Sequence, residues 1–165
     1  MKLVRLQKSA HGAGSYVFQI SKNEMDWLVA TLRFFPQRES PCYQLTRGDA
    51  KDLKGGQALL EEALSQQRRE HQRKLNKFLT SPGRFRPEGP DQFRLVLPVE
   101  QMEWMLQVLN EVRVGCWMKL GSPELEKRFD RELTPEEGRL MATLELSGFF
   151  QTVLLGACDG KGEAA

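Results

Sequence analysis

Twice in this chain an alternation of apolar and polar residues gives way abruptly to a helical period. Tyr16, Phe18 and Ile20 alternate with Val17 and Gln19, and from Lys22 onward Met25, Leu28, Val29, Leu32 and Phe35 recur at helical spacing until Pro36. Phe93, Leu95 and Leu97 alternate with Arg94 and Val96 as far as Pro98, and a helix is expected from about Val99 toward Leu120. A shift of 77 positions lays Tyr16 on Phe93, Phe18 on Leu95, Ile20 on Leu97, Met25 on Met102, Asp26 on Glu103, Trp27 on Trp104 and Leu32 on Leu109. The two stretches read as strand–turn–helix units forming a degenerate internal repeat, although two amphipathic units of independent origin would have the same local structure. Equivalent surroundings are expected for Phe18 and Leu95, and for Trp27 and Trp104.

The rest of the chain fits around these units. Lys2 to Lys8 and Ser15 to Ser21 flank the glycine-rich His11-Gly12-Ala13-Gly14 and read as a hairpin. Gln37 to Gly56 has little periodicity and reads as a long connection. Gln57 to Leu79 reads as a long amphipathic helix with Leu60, Leu64, Leu75 and Phe78 on one stripe, closed by Thr80-Ser81-Pro82-Gly83 and a Gly/Pro-rich linker to Pro90. Ser122-Pro123-Glu124 and Thr134-Pro135-Glu136-Glu137 both place a hydroxyl before a proline at the first helical position, with acid in the first turn. The helix from Thr134 to about Gly156 is apolar around most of its circumference, which belongs at a domain centre or an oligomer interface. The expected architecture is a single α+β domain over residues 1–158, a small sheet of about three strands packed by four to six helices, with a flexible tail at 159–165.

At 165 residues with a net charge of +2, the chain has one domain's length and too little charge to steer the whole molecule toward nucleic acid or an anionic membrane. The three cysteines, Cys42, Cys116 and Cys158, are too far apart for a metal knuckle or a disulfide framework and suit a reducing cytoplasm. The first residues lack a signal-peptide core, and the apolar last helix is interrupted by Thr143, Glu145, Ser147 and Gln151, so no membrane span is expected.

Few residues carry a chemical signal. Arg113 falls in the middle of the stripe formed by Met102, Leu106, Leu109, Cys116 and Leu120, so burial and an ion pair with Glu145 on the last helix are expected, as a structural pair more than a substrate-binding one. Asn110 beside the stripe reads as a hydrogen-bonding support. Cys116 on the stripe reads as an inert apolar thiol, and Cys42 has no sequence-local base. His11 and His71 are remote from each other and from any acid or thiol cluster; His71 reads as a polar residue packed at a helix seam, and no metal or other cofactor is implied. Nucleotide-binding, hydrolase, zinc-protease and EF-hand spacings are absent. The clearest charge feature is Arg69, Arg73 and Lys77, repeating every four residues within a basic run that also includes Arg68, Lys74, Arg84 and Arg86 against Glu70 alone. Such a ridge could meet phosphates or an acidic protein, and it equally serves the dipole and solubility of its own helix.

Trp104 through Gly121, as W-x4-L-N-x2-R-V-x5-L-G, resembles the C-terminal signature of a bacterial family of unassigned activity whose actinobacterial genes often neighbour that of the Clp protease adaptor. Phe149-Phe150-Gln151 with Leu154 is similar to the aromatic-Leu-Gln stretch that ends those proteins, and the matching order of elements covers most of the chain. The signature residues here are Trp104, Leu109, Asn110 and Arg113. The resemblance implies the regulatory or stress-related role given to some members of that family; their redox-responsive cysteines do not carry over, since no CxxxC pair occurs here. The expected role is therefore a non-catalytic, adaptor-like regulator in the cytoplasm acting on an unknown protein partner, with homo-oligomers compatible with its apolar last helix. Nucleic-acid binding through the ridge is the second reading and a cofactorless enzyme the third.

Overall fold

The computed structural model describes residues 1–7, 14–36, 54–121 and 132–159. His11, Cys42, the Ser122-Pro123-Glu124 helix start, most of the connection after Pro36 and the final six residues lie outside them. Among these residues four strands and four helices follow in the order β1 (Lys2–Gln7), β2 (Ser15–Ser21), α1 (Lys22–Leu32), α2 (Lys54–Thr80), β3 (Phe85–Pro87), β4 (Gln92–Pro98), α3 (Val99–Lys119) and α4 (Pro135–Cys158). The sheet is antiparallel in the order β1-β2-β4-β3. The fold is α+β with four strands. β3, inside the supposed Gly/Pro-rich linker, is the strand that the sequence pattern does not announce.

Adding 77 to Ser15–Ser21 gives Gln92–Pro98, so β2 and β4 have the same bounds under the shift, and each runs directly into its helix. The pairing of the two strands obeys the same relation. Phe18 pairs with Leu95, its own counterpart, while Tyr16 pairs with Leu97 and Ile20 with Phe93. A local twofold axis therefore passes between Phe18 and Leu95. Two backbone hydrogen bonds exchange under it: Lys22 N–H donates to the Asp91 carbonyl at 3.0 Å, and Val99 N–H donates to the Gly14 carbonyl at 3.1 Å. The outer strands flank this pair symmetrically in order but not in sequence spacing, because seven residues (8–14) join β1 to β2 and four (88–91) join β3 to β4.

One face of the sheet, carrying Leu3, Phe18, Ile20, Leu95 and Leu97, is buried against apolar side chains of the helices, among them Leu28 and Leu32 of α1, Met105, Leu109 and Val112 of α3, and Phe150 and Leu154 of α4. Each such side chain contributes roughly 1.5–3 kcal/mol on burial. Serine and threonine start two of the helices as the sequence leads one to expect. Ser21 and Glu24 form a capping box on α1, and Thr134 and Glu137 form another on α4, with Pro135 in the first turn. α4 has the length and apolar composition of a membrane span despite Thr143, Glu145, Ser147 and Gln151, yet Leu140, Met141, Leu144, Phe150 and Leu154 are buried within the protein.

Symmetry ends at the tryptophans. Trp104 is only 6% exposed, while Trp27, at the matching position of α1, is 49% exposed. The cause is α2, which has no counterpart over α1 among the described residues. Its Phe78 ring lies 5.9 Å from Trp104 and 6.2 Å from Phe85. The expectation of equivalent surroundings for the two tryptophans is thus corrected, whereas Phe18 and Leu95 are both fully buried on opposite sides of the axis.

Candidate functional site

α2 is anchored at one end and displayed along one side. Its buried residues are His71, Leu75 and Phe78, and the same stripe continues toward the N-terminus through Arg68, Leu64 and Leu60, which are half-buried. Arg68 is therefore the arginine that occupies an apolar stripe. Its Nε donates to Glu111 Oε1 of α3 at 2.9 Å, in an ion pair whose two side chains are largely shielded from solvent. A cleft of about 200 Å³ opens beside this pair, between Leu64, Gln67, Arg68 and His71 of α2 and Gln107, Asn110, Glu111 and Val114 of α3. His71 is 7% exposed with its ring 6.2 Å from Phe35. Burial, aided by Lys74, pushes its pKa below the usual value despite the opposing pull of Glu111 and Glu70, so it is a neutral packing residue near neutral pH.

Arg113 lies elsewhere from its expected position. The buried arc of α3 runs through Met102, Met105, Val108, Leu109, Val112 and Cys116, centred on Met105 and Val112 and not on Leu106. At roughly 100° per residue this phase carries Arg113 to the arc's edge. Its side chain is exposed, with Nε 3.8 Å from where a Cβ on Gly148 of α4 would stand, and Glu145 is exposed as well. Burial of Arg113 is thus corrected: its guanidinium passes beside Gly148 of α4 at ordinary van der Waals distance while its charge stays at the surface. Without burial, the structural ion pair inferred for Arg113 and Glu145 loses the argument that required it. Among the other signature residues Trp104 and Leu109 are buried core and Asn110 is exposed at the cleft.

Cys116 is not primed for nucleophilic work. Burial pushes the Cys116 thiol up to about 11, slightly relieved by Lys119, and Cys158 lies at the exposed end of α4. No group of three or more metal-ligating side chains occurs among the described residues.

The basic residues of α2 divide by use. Arg68 is committed to Glu111, and Lys74 pairs with Glu70 one turn earlier at 2.7 Å on the exposed surface. Arg69, Arg73 and Lys77 are exposed, and no ion pair among the described residues engages them. Spaced by four, they lie on one flank about a helical turn apart. Comparison with family models, with curated proteins and with solved structures gave no match.

Proposed function

We propose that this protein is a non-catalytic, adaptor-like regulator of the cytoplasm that works by protein contact, with the exposed flank of α2 docking an acidic segment of its partner. The observation that carries this reading is the division of charge on α2: Arg68 and Lys74 have carboxylate partners within the protein, while Arg69, Arg73 and Lys77 present three exposed cations in a row that no ion pair among the described residues engages, Arg73 acting only at longer range on Glu70, on a helix clamped from behind by Leu75 and Phe78. A row of cations steers an anionic partner and sets its register. The resemblance of the Trp104–Gly121 segment to a family of unassigned activity, some members of which are given a regulatory or stress-related role, supports the same direction. Nucleic acid is the weaker occupant, because three ridge cations on a chain of net charge +2 release few counterions.

A fluorescence-anisotropy titration of a Glu/Asp-rich peptide and of a DNA duplex against the protein separates the readings. The peptide is expected to bind in a salt-sensitive manner and to lose about tenfold or more in affinity when Arg69, Arg73 and Lys77 are all changed to Glu, with the circular dichroism unchanged. The duplex is expected to bind no tighter than on the order of 10–100 micromolar at physiological salt. A tight duplex complex abolished by the same triple change would install the nucleic-acid reading instead.

A further inference from the structure

The two halves of the molecule treat the start of their helices differently, and the difference leaves a cation without its counterion. In the first half, the carboxylate of Glu24, third residue of α1, receives the amino group of Met1, which stands just before the edge strand β1. Ser21 caps the same turn, its N–H and hydroxyl both donating to Glu24 at 2.9 Å. Burial works against that carboxylate, but the bonds from Met1 and Ser21 hold its pKa below the usual range. Cation and anion cancel.

In the second half, a shift of 77 converts Ser21 to Pro98 and Glu24 to Gln101, so the hydroxyl cap is gone and the acid has become an amide. The cation persists. Arg84 stands just before the edge strand β3 and its Nη1 donates to Gln101 Oε1 at 3.0 Å and, at a longer 3.4 Å, to the Val96 carbonyl. Its guanidinium carbon lies 4.8 Å from the centre of the Phe78 ring, which fixes its plane. Its Nε is buried with no hydrogen-bond partner. Two neutral oxygens and an aromatic face thus stand where the other half supplies a carboxylate. Burial draws the guanidinium below its usual basicity, as for a cation that has lost solvent without gaining a counterion.

Beside Arg84 is an open pocket of about 340 Å³ lined by Ser81, Pro82, Gly83, Arg84, Arg86, Val96 and Pro98. No acid lines it. Arg86 supplies a second guanidinium, exposed and without an ion pair among the described residues; the neighbouring Glu88 carboxylate is taken by Arg94. We propose that this pocket binds a small phosphate monoester, its phosphoryl oxygens on Arg84 and Arg86 and its carbon body against Pro82, Val96 and Pro98. Two arginines match a phosphate dianion's charge and its several acceptor oxygens, and the volume exceeds what a bare ion fills. The inference is independent of the docking flank of α2.

Isothermal titration with inorganic phosphate and with glycerol phosphate, at constant ionic strength balanced by chloride, tests it. The intact protein is expected to bind both saturably at one site and glycerol phosphate the more tightly. Gln101→Glu restores the carboxylate that the first half possesses, so it is expected to occupy Arg84 internally and to weaken both ligands about tenfold while keeping the unliganded melting midpoint or raising it. Arg86→Gln is expected to weaken both by a similar factor. Binding to the Gln101→Glu protein as tight as to the unaltered one, or no saturable heat with phosphate beyond that with chloride, overturns the site. Binding of inorganic phosphate without glycerol phosphate overturns the monoester assignment.

Discussion

Phe18→Ala is expected to lower the unfolding free energy by about 4 kcal/mol. Phe18 is 0% exposed, sits on an interior strand, and faces its counterpart Leu95 across the local twofold axis, with Ile20, Leu97 and Leu3 around it on the same buried face. The loss combines the transfer of a whole aromatic ring with the cavity left where two interior strands meet, a place that cannot collapse without breaking ladder hydrogen bonds. Against a domain's total stability of roughly 5–15 kcal/mol this is a large fraction. Urea unfolding should show a lower midpoint at unchanged slope, while Val4→Ala, at an exposed position on the edge strand, should stay within about 0.5 kcal/mol of the unaltered protein. A Phe18→Ala loss under about 1 kcal/mol would mean that the two halves do not meet there.

Phe78→Ala is expected to cost about 3 kcal/mol and to act on one element. The Phe78 ring is the aromatic contact at the C-terminal end of α2: Trp104 lies 5.9 Å away, Phe85 6.2 Å away, and Arg84 packs over its face. Removing it uncovers Trp104 and frees the C-terminal turns of α2 and the short β3 together. Of the three tryptophans, Trp27 and Trp117 are already exposed, so a red shift of the emission in the Phe78→Ala protein reports Trp104. Amide exchange should quicken in α2 and β3 before β2 and β4. Unchanged emission with uniform loss of protection would show that α2 is not a separately seated element.

The elements that could be read from the sequence are those whose signal is local. β2 with α1 and β4 with α3 announce themselves because alternation over seven residues and a helical period over eleven or more are each complete within their own segment. α4 is equally plain from Thr134-Pro135. β3 is not, because three residues, Phe85 to Pro87, two positions after a positive-φ Gly83 and ending on a proline, become a strand only by pairing with β4. The local twofold was legible as a shift of 77 positions, yet its breaking was not: whether Trp104 or Trp27 is covered depends on where α2 returns.

The charged residues divide in the same way. Arg113 was misplaced because a helical wheel fixes spacing and leaves phase to whichever neighbours the helix meets; α3 turns Met105 and Val112 inward. Arg68 was hidden within a run of basic residues and gained a distinct role only through Glu111, 43 positions away. Arg84 looked like one more cation of that run. Its isolation becomes visible only when Gln101 is compared with Glu24 at the start of the matching helix.

The measurement that bears most directly on the proposed mode of action is a two-dimensional amide NMR titration of the isotopically labelled protein with the Glu/Asp-rich peptide. Contact along α2 predicts shifts that saturate and concentrate between Arg69 and Lys77, with smaller ones at the neighbouring turns and none at the buried centre of β2 and β4. Shifts that concentrate on α4 or the sheet, or that stay scattered and never saturate, would contradict a docking role for this helix.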